Sequence, residues 1–156
     1  MIGLALLVSG FITGLLILMI CHESAHALMA RLFGAKATVH WFLMPRAIID
    51  APEGLFVSQW LWISRAGYAV SFIIAVLLIE MTIWMPHSLL IVGFTAPFLA
   101  GTIITALPET DKKGRHSDGW MSRAFRRVRK TRGNVVIKVN AGRAVYEVGG
   151  VEYPLA

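Results

Sequence analysis

Apolar residues in this chain come in uncharged blocks rather than at a short period. Residues 2–20, 66–79 and 89–107 contain no charged side chain, and with its flanks each block approaches the roughly 20 residues that a helix needs to cross a bilayer. The pattern predicts three spanning helices, over about residues 2–31, 60–85 and 88–107. Small residues recur four apart at Gly10 and Gly14 and at Gly67, Ser71 and Ala75, a spacing that lets spanning helices approach closely. Pro97 should kink the third helix and Pro108 end it. Between the first two blocks, residues 36–42 (Lys-Ala-Thr-Val-His-Trp-Phe) read as a short β segment. Past Arg132 the chain turns rich in Val, Ile and Tyr, with Asn140-Ala141-Gly142 between two such runs. This predicts a β-hairpin, followed after Gly149-Gly150 by a short final strand over 151–153. The expected class is therefore a mainly α integral membrane protein, with a core over residues 1–130 and a small β-hairpin tail over 131–156.

Composition supports the membrane reading. The chain has 156 residues, 56% of them hydrophobic, and a mean hydropathy of +0.66, above what an ordinary soluble domain carries. No Lys or Arg precedes the first apolar block, as a cleaved signal peptide would require. All 15 basic residues lie in the stretch from Arg31 to Arg46, at Arg65, or from Lys112 onward. The positive-inside rule then places the N-terminus outside, with residues 31–59 and the C-terminal tail in the cytosol. The expected location is a prokaryotic plasma membrane. Trp60, Trp62 and Trp84 fit interfacial positions. The net charge of +6 and the basic run from Arg123 to Arg132 follow a membrane exit, so orientation and attraction to anionic lipid account for them, and no nucleic-acid partner is expected. The single cysteine, Cys21, rules out a cysteine-rich zinc cluster and an intrachain disulfide.

The candidate chemistry is His22-Glu23-Ser24-Ala25-His26, near the cytosolic end of the first predicted span. Residues four apart share a helix face, so both imidazoles can bind one metal while Glu23, about 100° round, reaches a water beside it. Ionisable side chains inside a membrane helix are costly without partners and mark function by default. Eight residues separate Glu23 from Arg31, which puts the site roughly 12 Å below the membrane surface. Catalytic zinc takes three protein ligands and keeps a position for water. The third ligand is open among His40, His87, His116, Glu53, Glu80, Glu109, Asp111 and Asp118, although His87 and Glu80 lie towards the outer face.

These residues, followed by Ala30 and Gly34, together with Leu107-Pro108 and then Ser117-Asp118-Gly119 after the third span, resemble the site-2 proteases, a family of intramembrane zinc metalloproteases. The resemblance covers about residues 1–130 and implies a three-helix core of that kind. It implies Zn2+ held by His22, His26 and Asp118, and Glu23 as general base and acid. Asp118 is also expected at a helix start, with Gly119 permitting close backbone approach. Where the family carries Asn three residues before the proline, this chain has Thr105. Where it carries a Gly-Pro-x-x-Asn element, this chain reads Gly67-Tyr68-Ala69-Val70-Ser71. Thr105 and Ser71 can still hydrogen-bond a substrate. In the family an extended substrate pairs with an edge strand, which Val39 and its neighbours resemble. Single-pass membrane proteins are the implied substrates, with regulation from a membrane partner or the short tail. The alternative is a zinc-binding membrane adaptor that cuts nothing.

Overall fold

The computed structural model describes residues 2–41, 45–85, 87–106, 118–140, 143–148 and 151–154, with backbone alone at 104–106, 118–120 and, apart from Val145, from 140 onward. The chain is mainly helical. Helix α1 runs Ile2–Leu32, strands β1 and β2 follow at Lys36–His40 and Arg46–Phe56, and helices α2 and α3 at Val57–Trp84 and Leu89–Ala106. Helix α4 spans Asp118–Arg132, and β3, β4 and β5 span Val136–Asn140, Arg143–Val148 and Val151–Pro154.

Two helices, α1 and α2, are long and apolar enough to cross a membrane, and α3 is a shorter apolar helix. Only 17% and 28% of the most apolar windows of α1 and α2 are buried inside the protein. The core helix of a soluble protein would bury most of such a window, so these helices present hydrocarbon outward, including Leu4, Ile12, Leu16, Phe72, Ile73 and Leu77. Where α1 meets α3 the spacing is set by glycine. A methyl group at Gly10 would collide with the Leu90 carbonyl, and one at Gly14 would lie 2.5 Å from the Phe94 carbonyl oxygen. Small residues thus bring the backbones together, as their four-residue spacing predicts. Leu18, Ala75, Leu78 and Phe98 fill the space among the three helices.

Helix α1 ends in a Schellman turn: Ala35 N–H bonds to the Ala30 carbonyl at 3.0 Å and Gly34 N–H to the Arg31 carbonyl at 2.9 Å. Gly34 takes φ +86°, the left-handed conformation in which a side chain is unfavourable. The reversal sends the chain into β1, and Arg31 secures it by donating from Nε and a terminal nitrogen to the Ala37 carbonyl at 2.9 and 2.6 Å.

The strands form one five-stranded meander in the order β1-β2-β3-β4-β5, every neighbouring pair antiparallel. The C-terminal strands lie as the sequence predicts, but they are not a separate hairpin. Strand β2, absent from the sequence expectation, joins them to β1. It carries Pro52 and Gly54, residues that normally interrupt a strand, and it tolerates them at a register shift between Ala51 and Leu55. Gly54 has φ +84° and sits against Val136, where a side chain would collide.

The sheet also supplies the start of α2. Phe56 has no capping oxygen, so the exposed amides of the first turn are met by other groups. Phe56 N–H donates to Gln59 Oε1, Val57 N–H to the Val135 carbonyl and Ser58 N–H to Asn134 Oδ1, at 2.8, 2.9 and 3.0 Å. Trp60, expected at a lipid interface, is instead buried. Its indole N–H donates to the Ile137 carbonyl at 3.1 Å and its ring stacks on Phe125 of α4. Trp62 and Trp84 are exposed at 61% and 80%, as interfacial residues are. Around Trp60 the main core gathers Ala27, Ala30, Leu55, Ile63, Phe125 and Ile137.

Candidate metal centre

The paired histidines point from α1 into its contact with α2, and both are buried, at 8% and 6% exposure. In each ring Nδ1 has a partner on α2. His26 Nδ1 lies 2.6 Å from the Ile63 carbonyl oxygen, and since a carbonyl only accepts, Nδ1 carries a proton, which in the neutral ring leaves the lone pair on Nε2. His22 Nδ1 lies 3.2 Å from Ser71 Oγ, a hydroxyl that accommodates the same tautomer. The two Nε2 atoms then face each other 3.2 Å apart. Two nitrogens bound to one tetrahedral zinc at about 2.0–2.1 Å stand roughly 3.3 Å apart. The pair is thus spaced for a shared metal, with both outer nitrogens fixed as ligand histidines require.

Gly67 makes this approach possible. A methyl group there would lie 2.5 Å from His26 Nε2 and 2.7 Å from His22 Nε2. The sequence marks Gly67 as a small residue in helix packing and as the head of the Gly67–Ser71 stretch; in the fold its bare backbone is the floor on which both imidazoles rest. Ser71, expected to contact substrate, is fully buried and meets the His22 ring, which makes it an orienting residue.

Glu23 leaves α1 in another direction. Its Oε2 accepts the backbone N–H of Ala47 on β2 at 2.6 Å. That bond fixes the sheet's pleat relative to the site. Ala47 pairs with Val39 and Ala37 with Ile49, and because Ala47 N–H and the Ala37 carbonyl bond to Glu23 and Arg31, these are pairs whose backbone groups point away from each other. Val39, on the terminal strand β1, therefore turns its N–H and C=O to the open edge of the sheet.

Among the described residues no group of three His, Cys, Asp or Glu converges on a metal position. Asp118 opens α4, but its side chain lies outside the described residues, as do that of Thr105 and all of His116. The backbone nonetheless fixes where Asp118 stands. Ser122 Oγ lies 2.8 Å from Ser64 Oγ, and Phe125 stacks on Trp60 with centroids 5.9 Å apart. Numbers rise along α4 as they fall along α2, so the helices are antiparallel and Asp118, one turn before Ser122, comes level with Gly67 and Tyr68.

Were zinc held by this pair, Ser71→Ala, which removes the orienting hydroxyl, would weaken its binding about 10- to 100-fold, the usual cost of losing such a partner. Gly67→Ala should weaken it further, because the added methyl displaces both rings. Chelator competition on folded protein measures both, and wild-type affinity in Gly67→Ala would refute the close approach. No family model matches this chain, and neither a curated protein nor a solved structure matches it.

Proposed function

We propose that this chain is an intramembrane zinc metalloendopeptidase of the site-2 protease kind, cleaving single-pass membrane proteins within or near the bilayer. The observation that carries the proposal is the pair of Nε2 atoms 3.2 Å apart on a membrane-length helix, each ring locked through Nδ1. His22, His26 and Asp118 would hold the metal, Asp118 on the strength of its level on α2. When bound, zinc acidifies water and polarises a carbonyl.

The protein's own groups supply the rest. Glu23 takes the proton of the attacking water and returns it to the departing amine. The Ala47 amide holds the Glu23 carboxylate by a charge-assisted bond, so the base is aimed by the sheet as well as by its helix. A substrate must unwind to expose its peptide bond, and the open edge of β1 at Val39 offers backbone pairing to an extended segment flanking that bond, since Glu23 meets the opposite edge of the β1–β2 pair. Arg31 already occupies the Ala37 carbonyl, which leaves Val39 as the pairing position. The third span is α3. The sheet, α4 and most of the basic residues gather at the end of α1 marked by Arg31, which favours a cytosolic sheet and an external N-terminus.

The same Ala47 bond gives the adaptor alternative its one support, since it provides Glu23 with a structural occupation. Glu23→Gln separates the two. Glutamine keeps an oxygen for the Ala47 amide but cannot carry the proton, so cleavage of a co-expressed tagged substrate should fall about 10²- to 10⁴-fold with zinc retained. An adaptor would show no cleavage by the wild type and unchanged partner capture by the variant.

Ala47→Pro removes that amide without touching the β1 ladder, because the N–H points away from β1. It should lower kcat about tenfold, the worth of one hydrogen bond to a charged group, with KM and zinc content unaltered; wild-type kcat would show that the bond does not position the base. Asp118→Ala should lose most of its zinc and His116→Ala little. The reverse result would move the third ligand to His116.

A further inference from the structure

A second site lies on the other side of α1. Cys21, Ser24, Ala25, Leu28, Met29 and Leu32 form one wall of a groove of ≈ 440 Å³, and Trp62, Arg65, Ala66, Ala69 and Val70 of α2 form the other. That volume is ligand-sized, but the occupant is not the scissile segment. At about 100° per residue the α1 positions of the groove centre roughly opposite Glu23, so a peptide bond presented to Glu23 does not enter from this side.

Three features describe the occupant. The lining is almost wholly hydrocarbon, with one cation, Arg65. Arg65 is exposed, and no ion pair or hydrogen bond ties it to another described residue, an unusual state for a guanidinium inside a membrane-length helix. The groove runs from Leu32 to Cys21, roughly 16 Å at 1.5 Å per residue, which is about half of the ~30 Å hydrocarbon core. Its mouth lies beside Arg31 and the exposed Trp62, the residue types of the headgroup level. An amphiphile with one anion at that level and one chain reaching the mid-plane matches all three.

We propose that the α1–α2 groove is a phospholipid-binding site: one acyl chain lies between Leu28 and Ala69, and the phosphate diester is held by the Arg65 guanidinium. Phosphate on arginine is a strong charge-assisted pairing. The site is independent of the metal and of proteolysis, and rests only on the membrane reading. That reading has its own check: resistance to alkaline carbonate and release by detergent.

The test uses the full chain in mild detergent micelles doped with phosphatidylglycerol, read by native mass spectrometry. Wild type should retain one lipid per chain. Arg65→Gln should retain at least tenfold less, and Ala69→Trp, which fills the groove from an exposed position, should retain none. Helical circular dichroism and thermal unfolding midpoint should be equal in all three, confirming that the variants fold. Equal lipid retention in all three would overturn the proposal. So would a loss of oligomeric mass in either variant without a loss of lipid, which would assign the groove to a second copy of the chain.

Discussion

Two imidazoles buried between apolar helices must have all four ring nitrogens satisfied without bulk water, and that requirement organises the middle of this protein. The Ile63 carbonyl and Ser71 hydroxyl take the two Nδ1 atoms, which leaves both Nε2 atoms directed at a shared point. An Nε2 pair at that spacing needs a proton or a cation between its lone pairs. Every other feature of the site serves to bring the rings this close. Gly67 gives way beneath them, while about two to three turns along α1 Gly14 and Gly10 admit α3. The buried polar groups are therefore an arrangement with a purpose, because their cost in an apolar interior is recovered only if their partners are in place.

The sheet has a comparable part in building the site. Its second strand holds Glu23 through Ala47, Asn134 and Val135 just ahead of β3 cap the first turn of α2, and Ile137 of β3 takes the Trp60 indole. Helix α4, packed on the same tryptophan, carries Asp118 to the level of Gly67. The C-terminal strands thus steady the helix on which His26 leans, and the tail and the histidine pair lie against one core. A change in the tail has a structural route to the site through Trp60 and Ile63.

Different faces of α1 carry different duties. The histidines turn inward to α2, Glu23 turns to the sheet, and Cys21, Leu28 and Leu32 turn to the apolar groove. This division follows from a period of 3.6 residues per turn: neighbours in the motif point about 100° apart, so five consecutive residues face α2, the sheet and the apolar groove.

The sequence by itself determined the helices, the motif and the three C-terminal strands. Uncharged blocks of membrane length, a His-x-x-x-His spacing and alternating β-branched runs are local patterns, and local patterns are set by backbone periodicity. It could not reveal β2, because Pro52 and Gly54 look like loop punctuation until a register shift gives each a place. Nor could it separate buried Trp60 from exposed Trp62, two residues apart on one helix, because only α4 and β3 decide which indole is covered. The roles of Gly67 and Ser71 were equally hidden. Gly67 reads as a small residue suited to helix packing and Ser71 as a substrate contact, and the place of each beside the imidazoles emerges only when α2 is laid against α1. Which polar groups meet across such a contact depends on the rotation and register of two helices, a property of their packing that no stretch of either sequence contains.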